Sequence, residues 1–368
     1  MATSVFIFML LVETAVIGGL FLLYPRISRR GLLFGVYVGE ECWDGTEARR
    51  IMRGWQIGIA LWSVASLGIA VALFLRFHKP LVASVAPLLL TGGYLLLFLR
   101  TYFRARALAA PGSPPPAVAV LDVRQGSLWP AILVLVIGIM GGIVAMSYAA
   151  MHYADLPVRI PTHFGPSGAP DAWRPKTLWT VMLLPLLTLV LGIGMGGIVI
   201  LTARAKRAVR FPQTQISIEA QTRFRQAITW FLGCMSVVVT AMLTLMSVSS
   251  IRVGLGLAAR LSPVGMALAI GLVAFALGGT LYLALRYGQG GARLERGAGN
   301  APLTDGLADN RHWVLGSFYV NRNDPSIFVE RRFGFGYTIN FGNPKAVFLL
   351  LLFLGALVAI AVMARLKG

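Results

Sequence analysis

Long apolar runs alternate with short polar segments along this 368-residue chain. Eight of the runs are close to the roughly 20 residues that a helix needs to cross a bilayer. Backbone groups inside a bilayer core must pair within their own segment, so these runs predict helices. The predicted helices cover residues 4–24, 57–75, 81–99, 129–150, 178–202, 228–248, 262–285 and 346–364.

Composition agrees with this pattern, since 57% of the residues are hydrophobic, 13% are charged and the mean hydropathy is +0.74. Soluble domains carry about 25% charged residues. We therefore predict an all-α polytopic integral membrane protein with about eight transmembrane helices. Residues 318–341 form short apolar runs broken by Asn, Asp, Pro and Gly. These runs predict two or three short strands, or a hairpin, in a small cytoplasmic module before the last helix.

Two flexible stretches divide the chain into regions: the Pro-rich "APGSPPPAVAV" and the Gly-rich "GQGGARLERGAGN". The predicted regions are a three-helix membrane region (1–109), a cytoplasmic linker (110–128), a four-helix membrane region with a polar loop (129–287, loop 151–177), a cytoplasmic linker with the small module (288–345) and the last helix (346–368).

The net charge of +19 is distributed unevenly between the two sides of the predicted membrane. If the N-terminus is extracytoplasmic, 24 of the 33 Lys and Arg residues lie in cytoplasmic segments. This is the bias expected of a membrane protein. It places both termini on the extracytoplasmic side of the cytoplasmic (inner) membrane. The bilayer therefore accounts for the basic composition, and we expect no nucleic-acid partner.

Four predicted helices end on the same pattern, Gly-Gly followed by six residues and Arg, as in "GGYLLLFLR" (92–100) and "GGTLYLALR" (278–286). Seven residues span two helical turns, so the second Gly and the Arg share a face. Small residues permit close helix packing, and Arg extends to the membrane surface. The pattern arises either from these general preferences or from an ancestral two-helix repeat.

The polar loop 151–177 is longer than a helix connection requires and contains five prolines. "GPSG" and "APDAW" predict consecutive turns. Three interpretations of its polar residues stay open. They contact a ligand (His163, Asp171, Trp173, Lys176), they hydrogen-bond the turns, or they bind a metal (His163, Asp171, His152, Asp155).

The loop sequence "LPVRIPTHFGPSGAPDAWRPKT" resembles the extracytoplasmic segment of the SdpI-type immunity family of bacterial membrane proteins. The matching residues are Leu156, Pro157, Ile160, Pro161, His163, Phe164, Gly168, Asp171, Trp173 and Lys176. Members of that family protect cells from a toxic secreted peptide and act as a sensor arm in signalling. The resemblance implies a bacterial membrane location and an external peptide or a signalling protein as partner.

Residues 312–345 are similar to a C-terminal module of unknown function in related bacterial membrane proteins. The likeness rests on Trp313, Gly316, Tyr319, Asn321, Asp324, Pro325, Phe328, Val329, Gly334, Asn340, Phe341 and Gly342. The Gly-rich "RRFGFGYT" lacks the Gly-Lys-Ser/Thr of a phosphate-binding loop. Arg331 and Arg332 are therefore predicted to contact lipid or a partner.

Glu13 is the acidic residue that lies deep in a predicted helix, which makes it a functional candidate. No catalytic or cofactor-binding motif is recognised, so we expect neither an enzyme nor a cofactor. The leading prediction is a sensor or immunity-type protein that binds an external peptide through loop 151–177. The alternatives are a proton-coupled transporter of small molecules or ions that uses Glu13, and a metal-dependent membrane enzyme.

The charge distribution generates a topology prediction. In a variant with Cys42 and Cys234 replaced by Ser, new cysteines within 151–177 should react with a membrane-impermeant thiol reagent in intact cells. New cysteines within 300–330 should react only after the cells are lysed, because the positive-inside bias places that segment in the cytoplasm. If only the cysteines in this second segment react in intact cells, the topology is the reverse of the predicted one.

Overall fold

A computed structural model describes residues 2–77, 81–109, 128–165, 167–205, 215–294, 309–334 and 336–366. Nearly all of the predicted Pro-rich linker, residues 110–127, lies outside the described residues. So does the part of the second predicted linker at 295–308.

Each of the eight predicted apolar runs coincides with a helix of at least 23 residues. A short helix, α2, precedes the second of them, so the long helices are α1 and α3–α9. Their bounds are α1 Ala2–Ile27, α3 Thr46–Phe77, α4 Leu81–Arg106, α5 Trp129–Met151, α6 Leu178–Ala203, α7 Gln215–Gly254, α8 Pro263–Tyr287 and α9 Pro344–Leu366.

Six of these helices are long and apolar enough to cross a membrane within the described residues: α3, α5, α6, α7, α8 and α9. Helix α1 contributes a shorter apolar stretch, Leu10–Pro25. The predicted helical membrane class is thus confirmed in its coarse form. The six helices are candidate spans by length and composition, and the predicted number of eight spans stays a prediction.

The helices pack as two groups, α1 with α3 and α4, and α5 with α6 and α7. Helix α8 contacts both α1 and α7, and α9 packs on α6. Helices α5 and α6 approach to backbone contact where Gly138 faces Gly192. A Cβ added to Gly138 would lie 2.7 Å from the carbonyl oxygen of Gly192. Small residues of this kind let two membrane helices approach to backbone contact.

Four short strands form two antiparallel hairpins between α8 and α9. They are β5 Trp313–Val314 with β6 Phe318–Tyr319, and β7 Phe328–Glu330 with β8 Tyr337–Ile339. The side chain of Asn340 joins them, accepting from the Asn321 N–H at 3.0 Å and donating to the carbonyls of Asn321 and Asp324 at 2.9 Å. We call residues 309–343 the module, and the end of the bundle that carries it the module face.

The segment after α1 was not predicted to contain strands, yet it forms a hairpin that docks on the module. Strands β1 Leu32–Leu33 and β2 Val36–Tyr37 precede α2 Glu40–Trp43. Asn310 exchanges two 2.9 Å hydrogen bonds with the Tyr37 backbone, as a neighbouring strand would. The turn residue Gly35 lies against Gly316, and any side chain at either position would overlap the other backbone.

A buried ion pair joins the same two segments at a second point. Arg29 Nε lies 3.2 Å from Glu330 Oε1, and the two side chains are 0% and 5% exposed. Arg29 Nη2 also donates to the Gly290 carbonyl at 2.6 Å, just after α8. Gln289, from the same turn, donates its side-chain N–H to the carbonyl of Arg331. The pair therefore connects the N-terminal segment, the end of α8 and the module.

Arg332 and Phe333 point inward, which corrects the prediction made for Arg332. Arg332 is fully buried, donates to Asn310 Oδ1 at 2.7 Å and lies 5.1 Å above the Trp313 ring. Arg332 therefore does not reach lipid or a partner in this structure. Burial lowers the pKa of Arg332 to about 9, and the Asp309 carboxylate opposes the shift. Arg331 is exposed, so its predicted contact stays a prediction.

Phe333 inserts between the first three long helices. Its ring centroid lies 4.1 Å from that of Phe98, 4.4 Å from that of Tyr24 and 6.4 Å from that of Trp55. These partners belong to α4, α1 and α3 respectively. A residue of the C-terminal module thus completes the core of the N-terminal helices.

The ion pair generates a stability prediction. Glu330→Ala should lower the free energy of unfolding by about 3–5 kcal/mol, because it leaves the Arg29 charge buried without its carboxylate. The double variant Arg29→Met/Glu330→Leu should recover most of that loss, since it removes both charges and keeps the volume. Urea unfolding in detergent micelles, followed by tryptophan fluorescence, measures the difference.

The control for this experiment is the exposed Arg50–Glu47 pair, where Glu47→Ala should cost about 0–1 kcal/mol. Equal effects of Glu330→Ala and Glu47→Ala would contradict a stabilising role for the carboxylate of the buried Arg29–Glu330 pair.

Candidate functional site

The polar loop folds as a hairpin rather than as the consecutive turns predicted from its prolines. Strand β3 Arg159–Phe164 pairs antiparallel with β4 Pro170–Pro175. The hydrogen bond expected of a turn between the two glycines is present, since the Gly168 N–H donates to the Gly165 carbonyl at 2.9 Å. Gly168 has a φ of +77°, a conformation that favours glycine. We call β3, β4 and this turn the loop hairpin, and its end of the bundle the loop face.

Apolar side chains hold one side of the loop hairpin against the helices. Leu156 and Ile160 are 4% and 6% exposed. They pack in a cluster with Ala149, Val181 and Ile251, which lie on α5, α6 and α7. Burial of two aliphatic side chains contributes roughly 1.5–3 kcal/mol each. The hairpin is therefore fixed to three helices at once.

Lys176 fixes the end of the hairpin by binding backbone carbonyls. Its Nζ donates to the carbonyls of Leu156 at 2.7 Å, Tyr153 at 3.3 Å and Ala154 at 3.4 Å, and it lies 5.3 Å from the Tyr153 ring centroid. These carbonyls belong to the turns that follow α5, where a cation is favourable. Lys176 was predicted as a ligand-binding residue, and in this structure its ammonium group is engaged by the chain.

Further tethers come from the neighbouring connections on the loop face. The Gly168 carbonyl accepts from the Leu261 N–H at 2.8 Å, which ties the hairpin turn to the α7–α8 connection. Arg174 Nη1 donates to the Ala364 carbonyl at 3.0 Å near the end of α9. Thr177 and Thr180 form a reciprocal capping box that starts α6. Sequence analysis missed the tether at Arg174, because a local pattern carries no signal for a partner 190 residues away.

The outer side of the hairpin presents polar and aromatic groups to solvent. His163 Nδ1 lies 2.5 Å from Asp171 Oδ1, with side chains 71% and 51% exposed. Trp173 is 41% exposed although large aromatic side chains are usually covered. None of the six residues of β4 is buried. The structure thus brings three of the four predicted ligand-binding residues onto one exposed strand pair.

The predicted metal ligands separate into two pairs. Besides His163 with Asp171, His152 Nδ1 lies 3.8 Å from Asp155 Oδ2. Within the part of the chain that the structure describes, no group of three or more His, Cys, Asp or Glu residues has the arrangement of a metal site. Protein zinc sites use three or four such ligands.

A small cavity of about 40 Å³ lies beneath the hairpin, between α6 and α7. Pro185 on α6 lines it together with Val181, Ser247 and Ser250. Proline has no N–H, so the Val181 carbonyl lacks the helical partner that residue 185 would supply. The Ser247 hydroxyl is buried and has no hydrogen-bond partner among the described residues. A cavity of this size has room for a water molecule.

Glu13 lies on α1 and is half-buried. It has no hydrogen-bond or ion-pair partner among the described side chains, and it does not line the cavity beneath the hairpin. Its predicted functional role therefore stays a prediction.

Comparison with protein families finds two matches of limited length. Residues 140–189 match a domain of unknown function (DUF1648), which covers the second half of α5, the loop hairpin and the start of α6. Residues 322–347 match a family of unknown function (DUF5808), within the module and the first turn of α9. The comparisons find no match among curated proteins or solved structures. The two domains fit uncharacterised multi-pass membrane families.

The Lys176 contacts generate a prediction. Lys176→Met should lower the free energy of unfolding by about 1.5–3 kcal/mol, the scale of hydrogen bonds made by a charged group. Lys345→Met is the matched control, since Lys345 is exposed at the start of α9 and should leave stability within about 0.5 kcal/mol. Thermal unfolding in detergent measures both. If Lys176→Met leaves the free energy of unfolding unchanged, these contacts do not stabilise the loop, and Lys176 is again a candidate for contact with a ligand.

Proposed function

We propose that this membrane protein is of the sensor or immunity type and binds an extended peptide on its extracytoplasmic side through the loop hairpin. The observation that carries the proposal is the outer edge of β4. Among the described residues β4 pairs with one strand, β3, so its second edge carries no further strand, and five of its six residues are exposed. An exposed strand edge accepts an extended peptide by adding it as a further strand.

The register of the hairpin supports a specific mode of binding. The Lys176 N–H donates to the Val158 carbonyl at 2.7 Å, which makes these residues a hydrogen-bonded pair. In an antiparallel ladder such pairs alternate with pairs whose backbone groups point outward. Trp173, three residues before Lys176, then directs its N–H to the outer edge. Pro170 and Pro175 have no N–H, so they limit the edge to residues 171–174.

The exposed side chains would select among extended peptides. Trp173 offers a large aromatic surface of the type that dominates binding energy at interfaces. His163 and Asp171 beside it offer an imidazole and a carboxylate held within hydrogen-bonding distance of each other. Because the hairpin is tethered to α5, α6, α7 and α9, binding would require little ordering of the protein.

The sequence of the loop adds independent support. It resembles the SdpI-type immunity family, whose members respond to a secreted peptide, and the residues of the resemblance include His163, Asp171 and Trp173. The proposal gives these residues the contact with peptide and gives Leu156, Ile160 and Lys176 the support of the hairpin.

Transport is the rival proposal, because Glu13 is a half-buried carboxylate in an apolar helix. Transport would require Glu13 and would not require Trp173. Peptide binding to the hairpin would require Trp173 and would not require Glu13, so variants of these two residues separate the two proposals.

The proposal predicts that Trp173→Ala weakens peptide binding at least tenfold. The probe is a biotinylated pool of random extended decapeptides, selected on full-length protein in nanodiscs, with the dissociation constant of an enriched peptide then measured. The expected loss is that of an interface hot spot, about 2 kcal/mol or more. Trp129→Ala, at an exposed tryptophan on the opposite end of α5, should leave binding unchanged. Glu13→Gln should also leave it unchanged.

Three results would contradict the proposal. The first is the failure of any peptide to be enriched. The second is the selection of peptides that bind Trp173→Ala as well as the wild type. The third is a proton flux in liposomes that disappears in Glu13→Gln, which would establish transport in place of peptide binding.

A further inference from the structure

A groove of about 420 Å³ runs between α3 and α4. The groove residues used below are Gly58, Leu61, Trp62, Gly93, Leu96 and Arg100. Its walls are apolar, and Arg100 is the charged residue among those that line it. The volume lies in the range of pockets that bind small molecules, roughly 300–1,000 Å³.

Trp62 and Gly93 build the floor of this groove. The Trp62 indole lies directly over Gly93, where any side chain on α4 would overlap the ring. Its Nε1 donates to the carbonyls of Leu89 and Leu90, each at 3.3 Å. The ring is therefore held across α4 with its polar atom satisfied, and an apolar depression is left beside it.

Arg100 and its neighbours supply positive charge at one end of the groove. Gly93 and Arg100 are two helical turns apart, and both line the groove, as the Gly-Gly-x6-Arg pattern requires. Arg104 lies about one turn beyond Arg100 on the same face of α4 and is exposed. Arg53, near the start of α3, is exposed at the same end of the antiparallel helix pair. This end is the module face.

We propose that the α3–α4 groove is a binding site for an anionic phospholipid of the surrounding bilayer. One acyl chain lies along Gly58, Leu61 and Trp62, and the headgroup phosphate lies at Arg100 and Arg104. Basic pockets between transmembrane helices bind anionic lipid headgroups, and each Lys or Arg near an anionic surface contributes about a fivefold change in affinity. A zwitterionic lipid would fill the apolar part equally and would not select these arginines. The site is separate from the loop hairpin.

The position of Trp62 in the groove allows a direct test. Full-length protein is placed in nanodiscs of phosphatidylcholine with a minor fraction of phosphatidylglycerol, and either lipid carries brominated acyl chains. Bromine quenches tryptophan on contact, and the difference between wild type and Trp62→Phe isolates the Trp62 signal. We expect brominated phosphatidylglycerol to quench Trp62 at a concentration at least fivefold lower than brominated phosphatidylcholine.

Charge variants decide whether the arginines are responsible. Arg100→Gln and Arg104→Gln should each reduce the preference for phosphatidylglycerol about fivefold, while Arg100→Lys should keep most of it. The matched control is Arg286→Gln, which removes the equivalent exposed arginine of the same pattern on α8. Size-exclusion chromatography and circular dichroism verify that each variant is folded.

Three results would overturn the proposal. Equal quenching of Trp62 by the two lipids would mean that the groove contacts lipid without selecting an anionic headgroup. An equal effect of Arg286→Gln and Arg100→Gln would assign the preference to overall charge. An unquenched Trp62 in a protein that migrates as a dimer would place a second copy of the chain in the groove.

Discussion

The buried Arg29–Glu330 pair is the contact on which the arrangement of the two ends of the chain depends. It lies where the segment after α1, the turn after α8 and the module meet, and water reaches neither side chain to a significant extent. A pair of this kind contributes less to stability than its Coulomb energy indicates, because both charges lose their hydration. A compact arrangement that buries one of the two charges without the other is disfavoured, because a buried charge without its partner is strongly destabilising. The glycine contact and the Asn310 bonds then fix the orientation of the docked hairpin.

The two faces of the bundle are built by different physical means. On the module face, side-chain amides and buried charges replace the ladders of a larger sheet, because strands of two or three residues satisfy few backbone groups. On the loop face, a longer hairpin satisfies its own backbone and is attached to the helices by two aliphatic side chains and a lysine. The first arrangement suits a permanent joint within the protein. The second leaves one side of the hairpin, with His163, Asp171 and Trp173, open to solvent.

The sequence predicted the long helices well because bilayer thickness imposes a length and a composition that any window reveals. It predicted a β-containing module from short apolar runs, but not the partner hairpin at 32–37, whose strands are two residues long and carry no detectable period. It also predicted turns where β4 forms, because Pro170 and Pro175 are typical of turns but are also tolerated in an edge strand. Arg332 was predicted to contact lipid or a partner because it belongs to a basic cluster without a phosphate-binding motif. Its actual partners, Asn310 and Trp313, become neighbours of Arg332 only when the module folds.

The insertion of Phe333 has a consequence for how the protein is made. The ring enters a space bounded by residues of α1, α3 and α4, all of which leave the ribosome more than 200 residues earlier. These helices enter the membrane while the aromatic side chain that fills their interior has not yet been synthesised. Throughout that interval the interior of the N-terminal helices is incompletely packed. Their final packing therefore depends on translation of the distant end of the same chain.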